Sequence, residues 1–163
     1  MSKLIPEVAE VRNICSETVH FQDKEIMGVV GIISFTPEKY RELENTYSLV
    51  TNGFDKSNFV IAVTAGFIEQ NGETKCIAEV GLISNQNMAK LCGTDLDKAK
   101  QLSVTDIKAV RQSVVTVVLD KSDTLKLREE FDKEMKNYST LSVNDVLRNI
   151  AKKEKLNAQV ERD

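Results

Sequence analysis

Three cysteines and a single histidine are the residues of this chain best suited to nucleophilic or metal chemistry. Cysteine catalysis needs a base within hydrogen-bonding reach of the sulfur. Cys15 and His20 lie five residues apart, which points them to different sides of a helix, and Cys76 and Cys92 could meet His20 only through tertiary folding. The cysteines are odd in number, no CxxC pair is present, and one histidine cannot complete a zinc set with them. The sequence therefore predicts small buried cysteines in a reducing compartment, with no metal or cofactor.

Two glycines are candidates for phosphate binding. Glycines cradle a phosphate where they open a helix after a strand. Gly28 and Gly31 lie inside an apolar run over residues 26–35 instead, and no lysine follows at the spacing of a phosphate-binding loop. We interpret them as strand glycines that allow close packing.

An enzyme site could still assemble from scattered residues, namely Cys76, Glu79, Thr64 and His20. A carboxylate that works as an acid or base needs an apolar pocket that raises its pKa. The sequence contains no motif that would build such a pocket around Glu79, so we predict that the protein is not an enzyme.

The chain has 163 residues, of which 41% are apolar, so it can build the folded elements that must position these residues. The net charge is −3, and neither half of the chain has the strong positive excess typical of nucleic-acid-binding proteins. No stretch reaches the ~18 consecutive apolar residues of a membrane span. The N-terminus lacks the apolar core of a signal peptide, so we expect a cytoplasmic protein.

A β-hairpin is the strongest local signal. Asn71-Gly72 is the preferred pair for a two-residue type I′ turn, and it joins predicted strands near 58–69 and 74–84. This turn makes Phe67 face Cys76, and every pair on that side of the hairpin is apolar. The other side is mixed, with Thr64 opposite Glu79. The apolar run 26–35 predicts a third strand.

Helices are predicted from apolar periodicity and from caps. Ser103 and Asp106 resemble a capping box, and we favour a helix that continues from it through 113–119, although the β-branched run 114–118 also fits a strand. The other predicted helices begin near residues 6, 36, 87, 95, 122 and 142; the first runs over 6–18, and the second ends at Asn52-Gly53.

These elements predict an α+β fold, in which a small, mainly antiparallel sheet is packed by amphipathic helices and the C-terminal half is helical. We divide the chain into an α+β core domain over 1–120 and a helical extension over 121–163. The extension would pack on the core or on a partner.

We expect a non-catalytic protein-protein interaction or assembly protein, either an oligomer subunit or an adaptor, whose partner is a protein or a second copy of itself. One alternative is a small regulatory or inhibitory factor, of viral or plasmid origin, that binds a host protein. The other is the scattered-residue enzyme. The last helix and the mixed hairpin face could bind a partner; the candidate residues are Val146, Leu147, Ile150, Thr64 and Glu79.

Overall fold

The computed structural model describes residues 8–51 and 54–162, with side chains described over 10–47 and 54–156. The described residues form five strands and six helices. In chain order they are β1 (Val8–Phe21), β2 (Lys24–Phe35), α1 (Pro37–Thr51), β3 (Phe59–Gln70), β4 (Glu73–Ser84), α2 (Asn85–Cys92), α3 (Leu96–Gln101), α4 (Val104–Val110), β5 (Gln112–Val118), α5 (Lys121–Met135) and α6 (Val143–Arg162).

The five strands form one antiparallel sheet in the order β1-β2-β3-β4-β5. The predicted hairpin is confirmed in its register, since Phe67 faces Cys76 and Thr64 faces Glu79. Asn71 and Gly72 both have positive φ, of 55° and 78°, as a type I′ turn requires. The α+β class with strands near 26–35, 58–69 and 74–84 is thereby confirmed.

The helix predicted over 6–18 is wrong where the structure describes it, because residues 8–21 form β1 and pair with β2. Val11, Cys15 and Val19 recur every four residues, a spacing that fits one face of a regular strand as well as one face of a helix. In β1, however, Val11 packs on one face of the sheet, and Cys15 and Val19 pack on the other. A bulge follows Arg12, where Asn13 has φ 55°, and the register with β2 shifts there.

The helix favoured over 113–119 is also wrong. The capping box at Ser103 and Asp106 forms as predicted, but α4 ends at Val110 and β5 follows. The β-branched residues favour a strand here, because valine packs well on a pleated sheet and β4 offers a free edge. Ser113 and Val114 bulge opposite Gly81.

The remaining predicted helices are observed. Gly93 ends α2, Asp95 caps α3, and Ser142 and Asp145 exchange capping hydrogen bonds at the start of α6. The predicted helix stop at Asn52-Gly53 lies outside the described residues.

Each face of the sheet carries its own buried core. One cluster, called cluster 1, joins the sheet to α1, α5 and α6 through Tyr47, Phe131 and Leu147. The second, called cluster 2, joins the opposite face to α4 through Val104 and Ile107, with Met88 of α2 packed against it. The fold therefore has three layers, with the sheet in the middle.

The strand glycines allow close packing, as predicted. A Cβ on Gly28 would overlap the carbonyl oxygen of Phe67. A Cβ on Gly31 would lie 3.0 Å from the ring of Phe131, so this glycine makes room for α5 against the sheet.

Candidate functional site

The mixed hairpin face holds a buried polar cluster rather than an exposed surface. Thr64 is 1% exposed, and its hydroxyl accepts a hydrogen bond of 2.8 Å from Arg111. The same guanidinium lies 3.2 Å from the Glu79 carboxylate, with side chains 5% and 19% exposed. Thr64 is thus enclosed within the chain, and Glu79 is satisfied by an internal ion pair.

Sequence reasoning missed Arg111. The predicted helix continued through this position and gave its side chain no role at the hairpin. Because α4 stops at Val110, the side chain instead crosses Gly81, where a Cβ would lie 3.1 Å from the Arg111 Cδ. Gly81 is the sequence signal for this arrangement, but it can be interpreted only when the pairing of β4 with β5 is known.

The apolar residues of the last helix face their own sheet. Leu147 is 3% exposed within cluster 1, and Val146 and Ile150 are partly buried against the same cluster. In this fold Leu147 offers no surface to a partner, and the other two offer only part of theirs.

The four scattered enzyme residues do not form one site: Thr64 and Glu79 meet at Arg111, but Cys76 and His20 lie apart from each other. Cys76 is fully buried, whereas His20 is exposed near the β1–β2 turn, with its Nδ1 3.0 Å from Glu25 Oε1. Burial raises the pKa of the Cys76 thiol well above its ordinary value. Burial, followed by the negative charge of Glu17, also raises the pKa of Cys15. Raised thiol pKa values oppose thiolate formation, so neither cysteine has the environment of a nucleophile.

The outer side of β5 is the feature that stands out as a docking surface. We call it the β5 edge: the unpaired side of the strand together with the exposed side chains of Val114, Thr116 and Val118. Val114 is 41% exposed and Val118 is 53% exposed. No charged residue occurs from Gln112 to Val118.

The opposite edge of the sheet is different. β1 contains Glu10, Arg12, Glu17 and His20, and its pairing with β2 shifts register twice. Charges and bulges are the usual means by which proteins prevent unwanted pairing at a strand edge. β5 has one bulge, at its start, and no charge.

A separate cavity of about 130 Å³ lies where β2 and β3 diverge. These two strands pair only between Val29–Phe67 and Ile33–Val63, so the sheet forks beyond that point. Arg12 is the charged residue that lines this space. The rest of the lining is mainly apolar: Ile32, Val60, Ala62, Ile83, Met88, Ala99, Leu102 and Ile107, among others.

A second, wider cavity of about 360 Å³ lies beside Cys15, between β1 and the C-terminal helices. Neither cavity includes Thr64 or Glu79 in its lining. Within the described ranges no three His, Cys, Asp or Glu residues are placed to hold a metal ion. Among the same residues, no helix is long and apolar enough to cross a membrane.

The fold defines a class, a three-layer α+β protein whose central sheet is entirely antiparallel. Its most distinctive surface is the β5 edge. Comparison of the chain with protein-family models, curated proteins and solved structures gave no significant match.

Proposed function

We propose that this chain is a non-catalytic assembly protein that associates with a second copy of itself through the β5 edge. The observation that carries the proposal is an uncharged, β-branched strand at the end of the sheet, with two exposed valines. Such an edge is a ready template for another strand.

The direction of the backbone groups supports pairing. Leu119 donates its backbone N–H to Cys76 on β4, so the alternating residues Val117 and Val115 also direct their backbone groups toward β4. Thr116 and Val118 consequently direct their N–H and C=O groups outward. These groups have no hydrogen-bond partner among the described residues, and a strand from another chain could bind them.

The absence of charge favours a second copy as the partner. Two β5 strands related by a two-fold axis run antiparallel and present the same residues to each other. Like charges facing each other would oppose this arrangement, but here the facing residues are valine and threonine, which make favourable cross-strand pairs. The result would be a continuous sheet through two copies of the chain.

The experiment is to measure molar mass by light scattering over about a hundredfold range of protein concentration, because association follows mass action. We expect a dimer whose fraction rises with concentration. Thr116→Lys should yield a monomer, since it places like charges near the two-fold axis. Leu96→Lys is the matched control: Leu96 is 78% exposed on α3, and its replacement should leave the dimer intact.

A monomer at every concentration would refute self-association. That outcome would favour the regulatory alternative, in which the same edge binds a host protein. A dimer that Thr116→Lys leaves unchanged would mean that the chain associates through another surface.

A further inference from the structure

We propose that the cavity at the β2–β3 fork, called the Arg12 cavity, binds a small organic monocarboxylate with a branched or aromatic tail. The proposal is independent of the β5 edge, which lies on the far side of β4. It rests on an unpartnered guanidinium nitrogen, on an apolar lining and on the size of the space.

Arg12 supplies the charged group of the cavity. Its Nε is buried and has no hydrogen-bond partner. Within the part of the chain that the structure describes, no hydrogen bond or ion pair joins the Arg12 side chain to another residue. Buried polar groups in proteins are nearly always satisfied, and an exception calls for an explanation such as a bound ligand.

The lining is poorly suited to water or to inorganic phosphate. A space of about 130 Å³ could hold a few water molecules at roughly 30 Å³ each, but each buried water needs two to four polar partners. Most of the lining, including Ile32, Leu102 and Ile107, supplies none, and Arg12 and Tyr40 are the lining residues with polar side-chain atoms. An inorganic phosphate would bring up to two negative charges and four oxygens to a single guanidinium.

A carboxylate matches the site better. A guanidinium donates to a carboxylate through two parallel hydrogen bonds, and an apolar tail would contact Met88, Ala99 and Ile83. An engineered apolar cavity of about 150 Å³ binds benzene. The present space of about 130 Å³ is slightly smaller, so an acid such as benzoate or isovalerate is the largest ligand that we expect to bind, with its tail in the cavity and its carboxylate on Arg12.

The experiment is an NMR titration of the full chain with benzoate, following the backbone amide signals. We expect saturable shifts centred on the lining residues Ala62, Met88 and Ala99, with a Kd of about 1 mM or tighter for a ligand of this size. Benzamide has the same shape without the charge and should bind about tenfold more weakly, the worth of one charge-assisted interaction.

Two variants locate the site. Arg12→Gln should weaken benzoate binding about tenfold or more, while Arg148→Gln, on α6, should leave binding unchanged. Ala99→Phe should abolish binding by filling the cavity. Should Arg12→Gln fail to fold, the comparison of benzoate with benzamide on the unaltered chain still tests the role of the charge.

Three results would overturn the proposal: no saturable shift at millimolar benzoate, equal affinity for benzoate and benzamide, or shifts centred away from the fork. A long peptide that binds through its C-terminal carboxylate, when benzoate does not bind, would also refute it, because the ligand would then be a protein rather than a small acid.

Discussion

Arg111 is a charged side chain held almost entirely inside the protein. Its guanidinium connects Thr64 on β3 with Glu79 on β4, and its aliphatic stem lies against Gly81. Burying a charge is costly unless the charge is paired and hydrogen-bonded. Here both conditions are met, so the residue that joins α4 to β5 is also tied to two neighbouring strands.

Replacing Arg111 with alanine should destabilise the fold by about 2–4 kcal/mol, because Thr64 and Glu79 would lose their partner in a largely buried site. Urea unfolding measures this difference. Arg148→Ala is the matched control, since the Arg148–Asp145 pair spans 3.6 Å between side chains that are 68% and 39% exposed; it should cost less than about 0.5 kcal/mol. Equal losses in the two variants would contradict the role assigned to Arg111.

Cys76 makes the stability depend on pH. Burial raises the pKa of its thiol in the folded chain, whereas in the unfolded chain the pKa returns to about 8.5. Above that pH the unfolded chain releases the thiol proton and the folded chain keeps it. The free energy of unfolding should therefore fall by up to about 1.4 kcal/mol per pH unit for this group.

Urea unfolding at intervals between pH 7 and pH 10 tests this expectation. The stability contributed by the protonated thiol should be fully present below about pH 8.5 and decrease above it. Cys76→Ala should show a shallower decrease. Identical slopes in the unaltered chain and in Cys76→Ala would rule out the thiol as a cause.

At the scale of the elements, the two edges of the sheet differ in a way that matters for association. β1 carries charges and bulges, whereas β5 presents an uncharged strand. A natural edge strand without such protection is either a binding surface or a liability for aggregation. This contrast is why the proposed partner is placed on β5.

Proline substitutions on β5 separate association from stability. Val118→Pro removes an outward N–H and should abolish the dimer at little cost to the fold, because proline is tolerated at a strand edge. Val117→Pro removes an N–H directed at β4 and should destabilise the sheet. Light scattering and urea unfolding should be measured on both variants. If Val118→Pro destabilised the fold and Val117→Pro only abolished the dimer, the N–H of Val117, and not that of Val118, would point away from β4.

The α6 helix completes cluster 1. Leu147 and Val143 are buried there, and Phe131 of α5 packs edge-on against Phe67 with ring centroids 4.8 Å apart. In this fold, part of the predicted extension 121–163 covers one face of the sheet. The independent folding of residues 1–120 stays a prediction.

For the whole molecule, we expect that a chain ending after Thr140 will lose stability and expose apolar surface. Removal of α6 uncovers apolar residues of cluster 1, and burial contributes about 25 cal/mol per Å² of apolar surface. Urea unfolding and binding of a hydrophobic dye measure the effect. A milder variant, Leu147→Ala in the full chain, should cost about 2–5 kcal/mol.

Arg148→Ala provides the surface control on the same helix. If the shortened chain unfolds as cooperatively as the full chain and binds no dye, α6 is an appendage, and the boundary between core and extension gains support.

The sequence by itself determined the elements that depend on interactions between neighbouring residues. The β3–β4 register follows from the two-residue turn Asn71-Gly72, and the starts of α4 and α6 follow from Ser-x-x-Asp caps at Ser103 and Ser142. In each case the deciding hydrogen bonds or backbone angles lie within a few residues of one another. Such interactions do not depend on a partner distant in sequence, so they can be predicted from the sequence.

Only the tertiary structure decided that β1 and β5 are strands rather than helices. It also decided what surrounds Arg12 and Arg111. A strand is stabilised by hydrogen bonds to a partner that is distant in sequence, and an apolar spacing of four residues or a run of valines fits either a helix or a strand until that partner is present. β2 and β4 provided the partners. The same pairing placed one arginine beside Glu79 and left the other at the open fork of the sheet.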